Sequence, residues 1–118
     1  DLDGYLNNFA PDGEFENERG TIKGREAIGA WVGSIMGVDR VSGMRHFLGL
    51  PVIRGDAERC TARTYVMIPR RGDDGEISVT MVGTYRDDIV KIDGEWYFQK
   101  RSIFMDMTSE SHLKRRAE

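Results

Sequence analysis

Residues 76–106 contain two long runs of β-branched and aromatic side chains, joined by the dipeptide Asp93-Gly94. Asp and Gly tolerate the positive φ angles of a type I′ turn, so this pattern predicts a β-hairpin that turns at the dipeptide. Each predicted arm is longer than the ~3–10 residues of most strands. A sheet built from such arms has to coil or bend to stay compact.

Gly83 lies in the first arm of the hairpin. A glycine inside a strand often marks a bulge or a bend, so we expect the sheet to bend there and to form a concave surface. Strict alternation places Ile77, Met81 and Tyr85 on one face of the first arm. In the second arm it places Phe98 and Arg101 on opposite faces.

Apolar spacing upstream of the hairpin predicts a short helix that ends at a turn over residues 10–13, and a second helix over residues 24–36. Strands are predicted over residues 14–19, 21–23, 45–54 and 57–69, and residues 70–75 read as an exposed loop. This order of elements predicts an α+β domain, in which helices cover the concave face of a strongly curved antiparallel sheet.

The composition indicates one small domain with one core, because the chain has 118 residues. The formal net charge is −3, from 17 basic and 20 acidic residues. This balance gives no broad basic field, although Lys114, Arg115 and Arg116 form a short basic tail, so we expect no nucleic-acid partner.

Cys60 is the only cysteine, which excludes an internal disulfide and is typical of a reducing compartment. No apolar run approaches the ~18–20 residues that cross a bilayer, so we expect a cytoplasmic protein without a membrane partner. The chain begins with Asp1 rather than Met, in what reads as the tail of a helix. We therefore expect part of that helix to precede Asp1.

Five short motifs, met in order along the chain, resemble the SnoaL-like branch of the nuclear-transport-factor-two-like superfamily. The resemblance covers nearly the whole chain and implies a cone-shaped α+β barrel. That fold serves dehydratases, isomerases, polyketide cyclases, epoxide hydrolases, dioxygenase β subunits and binding proteins. The motifs are Phe-Ala-Pro-Asp-Gly-Glu-Phe at 9–15, Gly-Arg-Glu-Ala-Ile at 24–28, Met-Arg-His-Phe at 44–47, Gly-Thr-Tyr-Arg-Asp at 83–87 and Asp-Gly-Glu-Trp at 93–96.

The nearest part of that superfamily is the group of scytalone dehydratase, bile-acid dehydratase and hexachlorocyclohexane dehydrochlorinase. Its members pair a pocket His with an Asp from the first helix, and His46 occupies the matching place. Arg101 resembles a pocket Arg of the dehydrochlorinase. The resemblance does not assign the partner Asp to Asp1 or Asp3.

His46 is the predicted catalytic base, because imidazole accepts a proton near neutral pH. The alternative is that its ring packs in the sheet or bonds to backbone. Arg101 is predicted to stabilise a substrate carboxylate or a developing oxyanion through its planar fork of donors. A surface salt bridge is the alternative for Arg101.

The predicted substrate-binding residues are Tyr65, Tyr85, Trp31, Phe47 and Met67. The tyrosines could donate hydrogen bonds to a substrate carbonyl, and the apolar side chains could wall a cavity for an aromatic or polycyclic ligand. The alternative for the tyrosines is that their rings pack and their hydroxyls point at solvent. Ordinary core packing is the alternative for the apolar residues. Further candidate wall residues are Met36, Met81, Trp96 and Phe98.

Other reactive side chains give weaker patterns. Asp87 and Asp88 are adjacent in a strand, so they should point to opposite faces and cannot share one proton. Cys60 has no activating neighbour in the sequence, and His112 lies in a polar tail. No metal-ligand spacing and no phosphate-binding loop is present, so a site without metal or cofactor is expected.

These patterns predict a cofactor-independent lyase or isomerase, such as a dehydratase or cyclase, that acts on an apolar ring-containing small molecule. The alternative is a non-catalytic binding or assembly subunit, similar to the β subunit of ring-hydroxylating dioxygenases. In either case we expect the exposed sheet face to form a homodimer or homotrimer.

Overall fold

The computed structural model describes residues 1–35 and 43–108. In these two segments the chain forms two helices and one seven-stranded sheet, with strands in the order β2-β1-β7-β6-β5-β3 and β4 also paired with β5. All neighbouring strands are antiparallel except β1 and β7, which are parallel. The elements are α1 (Leu2–Leu6), β1 (Phe9–Asn17), β2 (Gly20–Lys23), α2 (Arg25–Ile35), β3 (Phe47–Leu48), β4 (Val52–Gly55), β5 (Arg59–Arg71), β6 (Ile77–Ile92) and β7 (Glu95–Thr108).

This architecture confirms the predicted α+β class with a curved sheet, although the sheet stays open rather than closing into a barrel. The two helices lie on the concave side, where Ile28 of α2 is fully buried beside Phe9 and Phe15 of β1. Trp31 of α2 stacks on Phe15 with ring centroids 4.9 Å apart. Among the described residues, no helix is long and apolar enough to cross a membrane.

The predicted hairpin turn is confirmed. Ile92 pairs with Glu95, so the loop contains only Asp93 and Gly94. Their φ angles are 51° and 84°, as a type I′ turn requires. The sequence therefore sets the register at the closed end of the longest strand pair.

Two bulges change which side chains share a face farther from the turn. A shift between Val82 and Gly83 coincides with the expected bend at that glycine. A second shift, between Asp88 and Ile89, leaves Gln99 of β7 without a partner, and it places Arg101 against the ring of Phe98. The expectation that alternation separates Phe98 from Arg101 is therefore wrong, because the extra residue reverses the alternation.

A third bulge lies between β5 and β6. Ile68 pairs with Met81 and Pro69 pairs with Val79, so Thr80 is the extra residue, and its hydroxyl donates to the Ile68 carbonyl at 2.7 Å. Ile77 is consequently exposed while Met81 is buried. The prediction that Ile77 and Met81 lie on one face of the strand is therefore wrong, because the bulge between them reverses the alternation.

Three boundaries also differ from the prediction. β5 extends to Arg71 and Arg70 is buried, so the predicted exposed loop over residues 70–75 begins only after Arg71. β1 begins at Phe9, so the predicted turn over residues 10–13 is an irregular part of the strand, with a register shift before Glu14. The predicted strand over residues 45–54 is divided into β3 and β4, and Pro51 lies between them. Proline has no N–H for the sheet ladder, which accounts for the interruption.

Replacing Gly94 by Ala should lower the free energy of unfolding by about 1 kcal/mol, because Ala is strained at positive φ. Gly33→Ala is the matched control, since an added Cβ meets nothing within 4 Å at either glycine. Gly33 lies in α2, where Ala should stabilise the protein by about 0.5–1 kcal/mol. Urea denaturation of both variants measures the difference, and equal effects would contradict the assigned turn.

Candidate active site

A cavity of about 570 Å³ lies between the helices and the concave face of the sheet. Most of its wall is apolar and comes from α2 and the central strands. The apolar lining is Phe15, Trp31, Val32, Ile35, Met44, Leu48, Ile68, Met81, Ile103 and Met105, and the polar lining is Tyr5, Asn17, Glu18, Arg19, His46, Tyr85 and Arg101. Such a chamber, apolar with a few polar groups, is typical of a small-molecule site.

Arg101 forms a buried ion pair with Asp87 on the concave face of the sheet. Its Nε donates to Asp87 Oδ1 at 2.9 Å and its Nη2 donates to Oδ2 at 3.2 Å. Only 3% of the Asp87 side chain and 15% of the Arg101 side chain are exposed. Burial raises the pKa of Asp87, while the hydrogen bonds from Arg101 oppose that rise. One edge of the guanidinium fork is therefore occupied by protein.

Aromatic rings cover the guanidinium of Arg101 as well. Its central carbon lies 4.0 Å from the ring centroid of Tyr85 and 4.3 Å from that of Phe98. Contacts of this length are cation–π interactions, which hold the planar group in place. Arg101 is thus fixed by a carboxylate and two rings. A ligand can reach only the N–H groups that do not donate to Asp87.

Tyr5 and Tyr85 are the two phenols of the cavity, from α1 and β6 respectively. Burial raises the pKa of Tyr5 to about 12 and also raises the pKa of Tyr85, where the charge of Arg101 acts in the opposite direction. Both hydroxyls therefore keep their protons at neutral pH and can donate a hydrogen bond. The edge-to-face contact of Tyr5 with Phe9, at 5.5 Å between centroids, holds the Tyr5 ring in place.

His46 lines the cavity but is itself exposed, so it lies at the mouth. Partial burial, and then the charge of Arg101, lower the pKa of His46, so its imidazole is neutral at neutral pH. Within residues 1–35 and 43–108, it has no hydrogen-bond or ion-pair partner. Asp1 and Asp3 do not line the cavity, and the Asp1 carboxylate instead caps α1 by accepting from the Gly4 N–H at 2.8 Å.

The structure brings four of the seven predicted site residues to the cavity, namely His46, Arg101, Tyr85 and Trp31. The other three are exposed on the outer face of the sheet, and placing them in the pocket wall has to be corrected. Alternation in β5 turns Tyr65 and Met67 outward, and Phe47 pairs with Met67 across the strands. Their exposures are 59% for Tyr65, 58% for Phe47 and 42% for Met67.

Among the weaker candidates, Met81 lines the cavity, whereas Trp96 is 44% exposed and lies outside it. Asp87 is buried and Asp88 is exposed, but both line a second cavity, so their pointing to opposite faces stays a prediction. The described residues contain no group of three His, Cys, Asp or Glu side chains placed to hold a metal ion. Met36, His112 and the basic tail at 114–116 lie outside the described residues.

Sequence reasoning missed Tyr5, which lines the cavity, and Asp87, which lies outside the lining and accepts hydrogen bonds from Arg101. Tyr5 belongs to the apolar stripe of the first helix, and its position on that stripe was the available signal. Asp87 was considered only as one half of a carboxylate pair. A buried carboxylate needs a cationic partner, but regular pairing from the turn does not place Arg101 opposite Asp87, so the sequence carried no signal for this pair.

Solved structures with the same fold support this topology. A protein of unknown function from Nostoc punctiforme, with a cystatin-like fold, has a TM-score of 0.82 and 25% identity, over 94% of this chain and 80% of its own. A candidate scytalone dehydratase from Novosphingobium aromaticivorans has a TM-score of 0.76 and 22% identity, over 92% of this chain and 73% of its own.

A third similar structure is a Catenulispora acidiphila protein solved in complex with S-DNPA. It has a TM-score of 0.75 and 24% identity, over 99% of this chain and 83% of its own. No curated protein matches the chain. A family model described as the SnoaL-like domain matches residues 1–102. Because that match covers most of the sequence, the chain belongs to the SnoaL-like domain family.

Proposed function

We propose that this protein is a cofactor-independent lyase or isomerase that acts on an apolar ring-containing small molecule. The observation that carries the proposal is one cavity of about 570 Å³ that combines apolar walls with a neutral imidazole and two protonated phenols. The similarity to a candidate scytalone dehydratase, and to a protein crystallised with S-DNPA, supports small-molecule chemistry in this fold.

His46 is the proposed base. Its neutral ring removes a proton from a carbon next to a carbonyl group, and the electron pair moves onto the carbonyl oxygen. In a dehydratase the enolate then expels the hydroxyl group on the β-carbon, which takes up the proton of the His46 imidazolium and leaves as water. In an isomerase the imidazolium returns the proton to a different carbon.

The developing oxyanion needs donors at the other end of the reacting group. Tyr85 and Tyr5 are proposed to donate to it, because hydroxyls held in a largely apolar site stabilise charge more strongly than water does. Arg101 is proposed to act as the anion stabiliser mainly through Tyr85, since its charge lies 4.0 Å from that ring and strengthens the phenol as a donor. Trp31 is proposed to pack against the substrate rings.

A non-catalytic binding or assembly subunit is the second candidate. Two observations favour it. The outer face has exposed apolar side chains, and in the described residues no carboxylate is hydrogen-bonded to His46. We propose that the outer face joins two or three copies of the chain, and light scattering of the purified protein measures that number. The outer-face side chains are Phe47, Tyr65, Met67, Phe104 and Met107.

We also propose a cytoplasmic location, which the presence of a single cysteine supports.

Replacing His46 by Ala should lower kcat by at least about 100-fold, because the base that removes the proton is lost. The assay follows water loss or isomerisation in a panel of hydroxylated bicyclic ketones by mass spectrometry and absorbance. The thermal midpoint of the variant should stay close to that of the parent, since the ring is exposed. Full activity in His46→Ala would remove the mechanism.

Tyr85→Phe should lower kcat about 10-fold or more, because one donor to the oxyanion is removed. Tyr65→Phe is the matched control, since it removes the same hydroxyl from the outer face of the sheet. The control should keep the kinetics of the parent. Equal losses in both variants would show that the Tyr85 hydroxyl has no special role.

The pH dependence of kcat/KM should have an acid limb with its midpoint below the usual His value of about 6.5. The neutral imidazole is the reactive form and its pKa is lowered, so activity is complete above the midpoint and is lost as the pH falls through it. Initial rates between about pH 4.5 and 8.5, two units on either side of 6.5, measure this limb. A midpoint above 7 would contradict the environment described for His46.

A further inference from the structure

We infer that Asp87 sets the charge selectivity of the cavity. By neutralising Arg101 it makes the inner end a site for an oxygen that is uncharged in the free ligand, so that a group already ionised in solution is accepted only at the mouth. This inference concerns the same cavity and rests on the proposal that it binds a ring-containing molecule. It adds a substrate class, and the direction in which the substrate enters.

The first step is the charge at the inner end. Asp87 is within hydrogen-bond distance of Arg101 at two points, and both side chains are largely buried, so their formal charges cancel inside the protein. Asp87 does not itself line the cavity, but its carboxylate is held against Arg101, so a ligand carboxylate that binds Arg101 would come close to it. Like charges in a poorly solvated site repel strongly, and breaking the pair would leave Asp87 buried and unpaired.

The second step is the set of groups that do remain available. The hydroxyls of Tyr5 and Tyr85 line the cavity, and within the described residues neither has a hydrogen-bond partner in the protein. Both phenols hold their protons, because burial raises the pKa of each. Two O–H donors without a neighbouring net charge suit a ketone, phenol or alcohol oxygen, whereas a carboxylate would need a compensating cation.

The third step is the contrast with the mouth. The turn between β1 and β2 contributes Asn17, Glu18 and Arg19 to the cavity wall. Of the two arginines that line the cavity in the described residues, Arg19 is exposed and has no ion-pair partner there. A ligand carboxylate at the mouth remains hydrated and lies near the positive charge of Arg19, although the charge of Glu18 partly offsets that attraction.

Two matched naphthalenes test the inference without any need for turnover. 6-Hydroxy-2-naphthoate and naphthalene-2,6-dicarboxylate both carry a carboxylate for the mouth, and they differ only in the group that must enter the inner end. Calorimetry at pH 7 should show the hydroxy compound binding at least about tenfold more tightly. Equal affinities, or no binding of either compound, would overturn the inference whatever the variants do.

Asp87→Asn removes the charge that offsets Arg101, so the dicarboxylate should bind more tightly. The ratio of the hydroxynaphthoate affinity to the dicarboxylate affinity should fall by about tenfold. Asp88→Asn is the matched control, because it makes the same chemical change at the adjacent exposed carboxylate, to which Arg101 donates no hydrogen bond. The ratio of the two affinities should stay within about twofold of the parent's in this variant. Equal shifts in both variants would overturn the role of Asp87. If Asp87→Asn does not fold, the parent's ratio still decides the charge selectivity.

The outcome separates this inference from the proposed chemistry. If the protein binds the hydroxy compound selectively but turns over none of the ketone panel, the proposed activity is contradicted and the charge selectivity is supported. Turnover combined with equal binding of the two naphthalenes would do the opposite.

Discussion

The ion pair between Asp87 and Arg101 is the interaction on which the site depends. Both groups are withdrawn from water, and a buried pair is tolerated only with good geometry and additional partners. Here the geometry is two hydrogen bonds, and the partners are the rings of Tyr85 and Phe98 on the guanidinium. The pair fixes the Arg101 charge beside the Tyr85 phenol and leaves the inner end of the cavity without net charge.

That pair exists because the sheet is irregular. The three bulges on β6 and its neighbours bend the sheet, and a bent sheet with helices on its concave side encloses a chamber. The same bulges decide which side chains enter it. The protein therefore has two chemically different faces, a concave one with phenols and an ion pair and an outer one with exposed aromatic and apolar side chains.

The sequence was sufficient to predict the parts of the fold that local chemistry controls. Asp93 and Gly94 fixed the hairpin turn, Gly83 indicated the bulge beside it, and the spacing of apolar residues located α2. The bulge at Gln99 has no such signal. Counting back from the turn without it pairs Arg101 with Arg86, whereas the extra residue moves Asp87 opposite Arg101.

The candidate site was predictable in part for the same reason. Tyr85 and Tyr65 look alike in sequence, and only the strand register decides that one faces the cavity and the other faces outward. His46 followed from the family resemblance and does line the cavity, but its position at the mouth depends on how β3 pairs with β5. Tyr5 required knowledge of where a short helix packs, which periodicity alone does not give.

The chemistry that these residues support is proton transfer within an apolar chamber, with a base at the mouth and donors at the inner end. A crystal structure of the complex with 6-hydroxy-2-naphthoate tests this polarity most directly. The account predicts the naphthol oxygen between Tyr5 and Tyr85, the carboxylate at the mouth beside Arg19, and an intact pair between Asp87 and Arg101. A carboxylate bound to Arg101, with Asp87 displaced from it, would contradict the account.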